Sequence, residues 1–547
     1  MIENSYTAAL SAAVLAPARR LKSFSALAAT LAAAALALSA CAGDGDAAAK
    51  GDQAGASASG STGQSAAQDA AGTKDGEEPE GSKDGGGAEQ GDEAGAVASS
   101  VGQEDWVDPT ETTEVSGVTP RVLLSDEMGL TLLDAETGEV LKEQELAGFK
   151  RLSNAGNGKD VMVITDKGWE VFSAGIKSQI HGDHFHHYES APGMTGVVFP
   201  GEHAGHVVMH HGKTTLFADG TGSIGTFVSD DLDKATPDLL PVTEDLTTDG
   251  AHHGVALELM DGSVLTTEGT EDGRHTVKVV DRQGKEIAKT EDCPGVHGEA
   301  AAQPQDGQDV VALGCENGPV VYRGGEFHKV DPGLDYQRSG NLAGSADSSV
   351  VLGDYKVEKE PKEAVERTTK IALIDTETDE MKVVDLGSSY WFRSLARGPE
   401  GEGVVLTYDG KVKVIDEESG EVVKDIEAIG AWKEKDEWQE PGPILKTAGD
   451  LAYVTDAENN KLVVIDLVKG EKVNEFELDG PATEMAVVTG EPEAPAHSED
   501  DDHGDHEGHD RGEDEGHDHS EDGHDHSDHD HDHDHDHGAE EDHGHDH

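Results

Sequence analysis

A short pattern recurs through the middle of this 547-residue chain: an apolar run, a polar turn built on an acid, and a second apolar run. Residues 132–140 read Leu-Leu-Asp-Ala-Glu-Thr-Gly-Glu-Val, and residues 372–378, 414–422 and 464–473 repeat the theme. Looser copies fall at 161–172, 207–217, 255–280 and 310–322, and a further strand precedes each clear copy, as 403–408 precedes 411–414. Eight such units, spaced mostly about 40–50 residues apart and all strand, are the signature of a β-propeller. No amphipathic helix of useful length separates them, which counts against an α/β fold. The expected fold is therefore all-β, a β-propeller over residues 118–490 with eight blades. The long, irregular fourth unit (255–287) leaves seven open, and a sandwich array fits less well. Residues 481–488, beyond the last hairpin, are expected to add the inner strand of the first blade and close the ring.

In a propeller the outermost strand of each blade returns to the innermost strand of the next by a crossing loop, and these loops share one face. Three consecutive crossings are expected to carry histidine. They are the segment 181–188 (His-Gly-Asp-His-Phe-His-His-Tyr), the pair His252 and His253, and His297 within 293–299 (Cys-Pro-Gly-Val-His-Gly-Glu). The turn His210-His211-Gly212 is expected on the same face.

The first of these is the densest donor group outside the C-terminal tail. Imidazole suits zinc, copper, nickel and iron, and a nearby carboxylate narrows the choice towards zinc-like ions. His184 and His186 are two apart, so in an extended segment they point the same way, and a kink at Gly182 brings Asp183 or His181 alongside. The candidate metal ligands are His181, Asp183, His184 and His186, joined by His253 and His297 from other blades. A polar surface loop whose histidines only hydrogen-bond is the duller reading. Four histidines in seven residues weaken it for the first segment, whereas for His253 and His297 taken singly both readings stand. His203, His206, His275 and His328 carry no such pattern and read as structural or surface residues. No His-Glu-Xaa-Xaa-His helix, Gly-Xaa-Ser-Xaa-Gly elbow, Walker loop or dinucleotide fingerprint is visible, so the chain reads as a binder and not an enzyme. A hydrolytic centre with three protein ligands would look similar in sequence.

The flanks give an address. Arg19, Arg20 and Lys22 precede an apolar run over 27–38, and Leu38-Ser39-Ala40-Cys41 resembles a bacterial lipobox. Residues 1–40 are thus read as a lipoprotein signal peptide, with Cys41 as the lipid attachment point on the outer side of the bacterial cytoplasmic membrane. Residues 41–104, rich in Gly, Ala and Asp, have almost nothing to bury and read as a disordered tether. Cys293 and Cys315 are expected to form a disulfide in an exported protein, a thiolate pair on metal being the alternative. The tail, 491–547, holds sixteen histidines among twenty-three acids from His497 onward. Its densest part, with His524, His526, His529, His531, His533, His535 and His537, reads as a disordered, low-affinity metal sponge. The formal charge of −72 draws cations and argues against nucleic acid.

A secreted β-propeller with His-Gly-Asp-His-Xaa-His at 181–186 and Cys-Pro-Gly-Xaa-His-Gly-Glu at 293–299 resembles the AztD-type zinc metallochaperones. The resemblance covers about residues 118–490. It implies zinc as the bound ion, with His184 and His186 foremost among the ligands and Asp183, His253 and His297 after them. It also implies a partner, the solute-binding protein of a zinc ABC transporter. The lipid anchor and the long tail are additions of this chain to the family pattern, and the chain is expected to be a monomer. The residues themselves leave copper and nickel open. Two rivals stand beside this reading: a metal-buffering or docking propeller without an ordered site, and an exported metal-dependent hydrolase.

Overall fold

The conspicuous repeats are the outer hairpins of four-stranded sheets, and their turns explain why the pattern recurs. In the computed structural model, which describes residues 98–181, 184–270 and 273–492, Asp134 Oδ1 accepts the amide N–H groups of Glu136 and Thr137. The Gly138 amide bonds back to the Asp134 carbonyl. Asp416 with Gly420 and Asp466 with Gly470 repeat the arrangement. The three glycines sit at φ of +74°, +72° and +72°, where a Cβ is strained, and the fourth copy seats Asp379 there at +60°. The acid supplies the side-chain acceptor and the glycine the left-handed step, so both recur.

Eight four-stranded antiparallel sheets are present among the described residues. Sheet 1 combines Arg121–Ser125, Gly129–Asp134 and Val140–Glu145 with Glu484–Val488, and sheet 2 combines Arg151–Asn154, Asp160–Thr165, Gly168–Ser173 and Gly193–Pro200. Sheet 3 runs Ala204–His210, Lys213–Ala218, Ser223–Val228 and Glu244–Thr247, and sheet 4 Ala256–Glu258, Val264–Thr270, Gly273–Val280 and Glu286–Thr290. Sheet 5 runs Glu299–Gln305, Gln308–Leu313, Val320–Arg323 and Glu326–Lys329, and sheets 6 to 8 occupy residues 342–385, 395–427 and 445–477. Each sheet touches the next, and the eighth touches the first through Leu445–Ala448 against Glu484–Val488. The chain is an all-β propeller. Its ring closes where Glu484–Val488 pairs antiparallel with Arg121–Ser125, from Ser125↔Glu484 to Arg121↔Val488.

Burial follows from this stacking. Middle strands are covered on both faces and read as continuous apolar runs, as in Lys461–Asp466, whereas the outer strand Glu471–Glu477 is largely exposed. The core beside the closure joins Val122, Leu124 and Leu133 of sheet 1 to Tyr453, Leu462 and Val464 of sheet 8, with Met485 and Val487 between them.

Strand alternation sorts the connections. Crossings between sheets, and turns between second and third strands, lie at one end (the crossing end). Turns between first and second, and between third and fourth strands, lie at the other (the hairpin end). This corrects two expectations. The segment 181–187 is no crossing: Ile176–His181 and His184–Glu189 form a hairpin inserted between the third and fourth strands of sheet 2, joined by Thr113–Val115 into a separate three-stranded sheet. Its strands are polar on alternate positions and so lack the apolar runs a packed blade strand requires. The turn at His210 and His211 joins first and second strands of sheet 3, and therefore sits at the hairpin end, away from the crossings.

A third correction concerns the tether. Its last residues belong to the packed structure: Val101 is buried and the Ser99 hydroxyl donates to Glu170 Oε2 at 2.6 Å, and just beyond the tether Trp106 covers Gly196. A Cβ on Gly196 would stand 2.4 Å from the indole, so glycine is needed for the approach. Val101 and Trp106 supply the apolar surface that the preceding residues lack. The signal segment 1–40, Cys41, the tether to residue 97, Asp183 and the tail from residue 493 lie outside the described residues. No helix among the described residues is long and apolar enough to cross a membrane.

Removing residues 484–547 should lower the thermal midpoint by about 10 °C or more relative to a chain ending at 492, because the closing strand is lost. Circular dichroism melts of the two truncations check this, and coinciding midpoints would contradict the closure.

Candidate metal centres

Two histidine triads are assembled from different sheets. In the inserted hairpin, His181 pairs directly with His184, and His186 lies two residues further on, so period-two geometry puts all three on one face. Their ligand nitrogens lie within 4.8 Å of one another. His184 Nε2 stands 3.1 Å from His186 Nε2, while His186 Nδ1 meets Glu114 Oε1 at 2.7 Å, a carboxylate brought in by Thr113–Val115. The base of the hairpin is pinned. Arg121 reaches Glu189 at 2.9 Å, Lys177 pairs with Asp233, and the Ser178 amide donates to the Gly490 carbonyl at 2.6 Å. The described residues beside its turn are exposed: His181 and His184 on one face, and Ile180 and Phe185 on the reverse face.

The second triad belongs to the ring. His206 stands near the crossing end of the first strand of sheet 3, His253 on the crossing from sheet 3 to sheet 4, and His297 on the crossing from sheet 4 to sheet 5. Ring centroids lie 5.1 Å (His206–His253), 5.3 Å (His253–His297) and 6.2 Å (His206–His297) apart, and the ligand nitrogens again fall within 4.8 Å. Each outward nitrogen faces an acceptor. His253 Nδ1 is 2.6 Å from Asp219 Oδ2, His297 Nδ1 is 2.7 Å from the Gly340 carbonyl, and His206 Nδ1 is 3.6 Å from Glu299 Oε2. The two acceptors at hydrogen-bond distance fix the tautomers of His253 and His297 with the proton on Nδ1 and leave Nε2 as the ligand atom. Three imidazoles with one open position are a zinc-compatible set, at Zn–N distances of about 2.0–2.1 Å.

The local sequence explains why the loops hold. Gly314 passes so close under the His297 loop that a Cβ there would lie 1.6 Å from the Ser339 carbonyl oxygen. The His297 amide donates to the Gly314 carbonyl at 3.0 Å, and the Cys293–Cys315 disulfide ties the same two segments. Closing that loop contributes roughly 3 kcal/mol in the chain-entropy model. His252 is a clamp, not a ligand: buried, it engages the Gly250 carbonyl through Nδ1 at 2.8 Å and Thr267 Oγ1 through Nε2 at 3.0 Å.

Electrostatics favour the neutral form of two of these imidazoles, His253 and His297. Burial, followed by the positive potential of His253, Arg338 and His206, holds the His297 imidazole well below its usual value of about 6.5. Burial also lowers His253, against the opposing pull of Asp219. A cleft of about 490 Å³ opens onto His253 and His297 and is lined in part by Arg274 and Arg338. Neutral imidazole is the metal-binding form.

The structure thus brings His181, His184 and His186 together in one group and His253 and His297 in another, completed by His206. His206 escapes a sequence reading that weighs clusters only. The available signal was its position at the start of a blade's first strand, beside the crossing loops. His210 and His211 join neither triad and meet Asp309 instead.

Fold and site together define a β-propeller with two three-histidine groups able to hold a divalent metal. No family model matches the chain. It is similar to the zinc chaperone AztD of Citrobacter koseri, at 25% identity over 393 residues, covering 70% of this chain and 88% of that protein. A crystal structure of Citrobacter koseri AztD aligns with 69% of this chain and 99% of its own at 24% identity and a TM-score of 0.58. A structure of apo AztD from the same organism covers 68% and 97% at 23% identity and a TM-score of 0.56. The likeness carried by two short segments extends over the whole propeller: the chain resembles the AztD-type zinc chaperones.

Because native His297 stays neutral where a free imidazole is protonated, the native state binds fewer protons than the unfolded chain just below about pH 6.5. Stability from this burial is complete above that pH and is lost as the pH falls further towards the lowered value. NMR titration of metal-free protein should place the His297 midpoint below 6.5, and a midpoint at or above 6.5 would contradict the burial.

Proposed function

We propose that this chain is an extracytoplasmic zinc metallochaperone that captures zinc and delivers it to the solute-binding protein of a zinc ABC transporter. The observation that carries the reading is the triad His206, His253 and His297: three imidazoles from one strand and two crossings whose ligand atoms lie within 4.8 Å of one another, with His253 and His297 each oriented by a hydrogen-bond acceptor on the far side. Similarity to a zinc chaperone across most of the propeller favours zinc over copper or nickel.

The hairpin triad suits exchange. Its histidines are open to a partner's ligands, so an acceptor group can enter the coordination sphere before a donor leaves. Ile180 and Phe185 offer an apolar footing on the reverse face, 68% and 45% exposed. The tail works as a collector. It follows from Gly490, which bonds the hairpin base, and His497 lies seven residues on, within about 25 Å of chain reach. Ligands that must be ordered on binding lose entropy, so on this reading the tail holds zinc more weakly and releases it faster than either triad. The disulfide fits an oxidising compartment, and a lipid on Cys41 would keep collector and carrier beside the importer. Asp183 is a further ligand of the hairpin on this reading.

Zinc-loaded full-length protein should pass its ion to the receptor at least about tenfold faster than to a small chelator of matched capacity, a barrier lower by ~1.4 kcal/mol. Replacing His184→Ala with His186→Ala should remove the acceleration yet leave about one tightly held ion per chain in the ring triad. Stopped-flow transfer measurements read both. Equal rates to receptor and chelator would contradict handover.

A further inference from the structure

A third donor group lies at the hairpin end, apart from both triads. His210 and His211 are consecutive and would point to opposite sides in a strand. Here the turn holds His211 at φ +49° and Gly212 at +71°, and the left-handed step turns both imidazoles the same way. His210 Nε2 lies 2.8 Å and His211 Nε2 2.6 Å from a single oxygen, Asp309 Oδ1, at the start of the second strand of sheet 5. The other oxygen, Oδ2, accepts the Met260 amide at 2.7 Å from the first turn of sheet 4. Three neighbouring sheets therefore converge on one carboxylate across 98 and 99 residues of sequence.

We propose that His210, His211 and Asp309 form a separate binding site for a first-row divalent cation, taken by zinc when zinc is supplied. The donor set is two imidazoles and one carboxylate, which suits zinc and iron(II) alike and leaves positions open. The ligand atoms already lie within 4.8 Å of one another, and the Met260 amide acts as the outer partner that aims the carboxylate. Side-chain exposures of 10% for His210, 17% for His211 and 5% for Asp309 leave the group shielded yet reachable from solvent. Without metal, the two ring N–H groups donate to Asp309 and keep the site assembled. Binding shifts each imidazole to the tautomer with its proton on Nδ1, so that Nε2 donates its lone pair to the ion.

His210 lies four residues from His206 on the same strand, roughly 13 Å along the sheet. The two sites thus occupy opposite ends of one strand, too far apart to share an ion. The site is independent of the handover reading, which rests on the triads.

A discriminating variant is His211→Asn. It makes the turn Asn-Gly, the pair most favoured in this left-handed turn, and so preserves the hairpin while removing the imidazole. Full-length wild type and His211→Asn would be loaded with zinc and dialysed against a chelator strong enough to empty the tail. Metal content and thermal midpoint are then read for both. The variant is expected to retain one ion fewer per chain, and its metal-free form is expected to melt at an unchanged or higher midpoint than metal-free wild type. Asp309→Asn, assayed in the same way, should lose the same ion. Equal zinc content in wild type and His211→Asn would overturn the proposal and leave the group as a hydrogen-bonded clamp between sheets.

Discussion

Everything that gathers these histidines depends on the pairing of Glu484–Val488 with Arg121–Ser125. A propeller blade buries its faces only against its neighbours, so an open ring would leave sheets 1 and 8 with bare apolar surfaces. The closing strand completes sheet 1 and inserts Met485 and Val487 into the core shared with sheet 8. Once the ring is shut, the angle between neighbouring sheets is set, and residues on adjacent crossings meet at fixed distances. His206, His253 and His297 are such residues. None is near another in sequence, and the ring alone puts them within ligand distance.

The two triads show two ways of building a metal site from imidazoles. The hairpin uses local geometry: one strand pair, period-two alternation and a carboxylate from Thr113–Val115 behind His186. Its His181 and His184 are exposed. The ring triad uses global geometry, with acceptors behind His253 and His297, a disulfide beneath the His297 loop and a glycine where a side chain would collide. Burial favours the neutral form of His253 and His297, so an ion need not displace a proton from those two. An open site suits exchange and a preorganised one suits retention. A carrier needs both properties.

The propeller was legible in the sequence because its outer hairpins carry a chemical necessity, an acid to accept turn amides and a glycine to take a left-handed φ. The closing strand was legible as an apolar run without a partner. The placement of 181–187 was not, because a hairpin inserted inside a blade and a crossing between blades both appear as polar breaks between strands. The turn at His210 and His211 was assigned to the wrong end through the same ambiguity: which end a turn occupies depends on its ordinal position in the blade. His206 shows a deeper limit. An isolated histidine in a strand carries no mark of function, and its role follows only once blade geometry brings two crossing loops to it.

The central claim is that the ring triad holds zinc. Crystals grown with zinc and measured on both sides of the zinc absorption edge test it most directly. An anomalous difference peak is expected about 2.0–2.1 Å from Nε2 of His206, His253 and His297 together. A map without density at that position, in crystals whose hairpin triad is occupied, would contradict it.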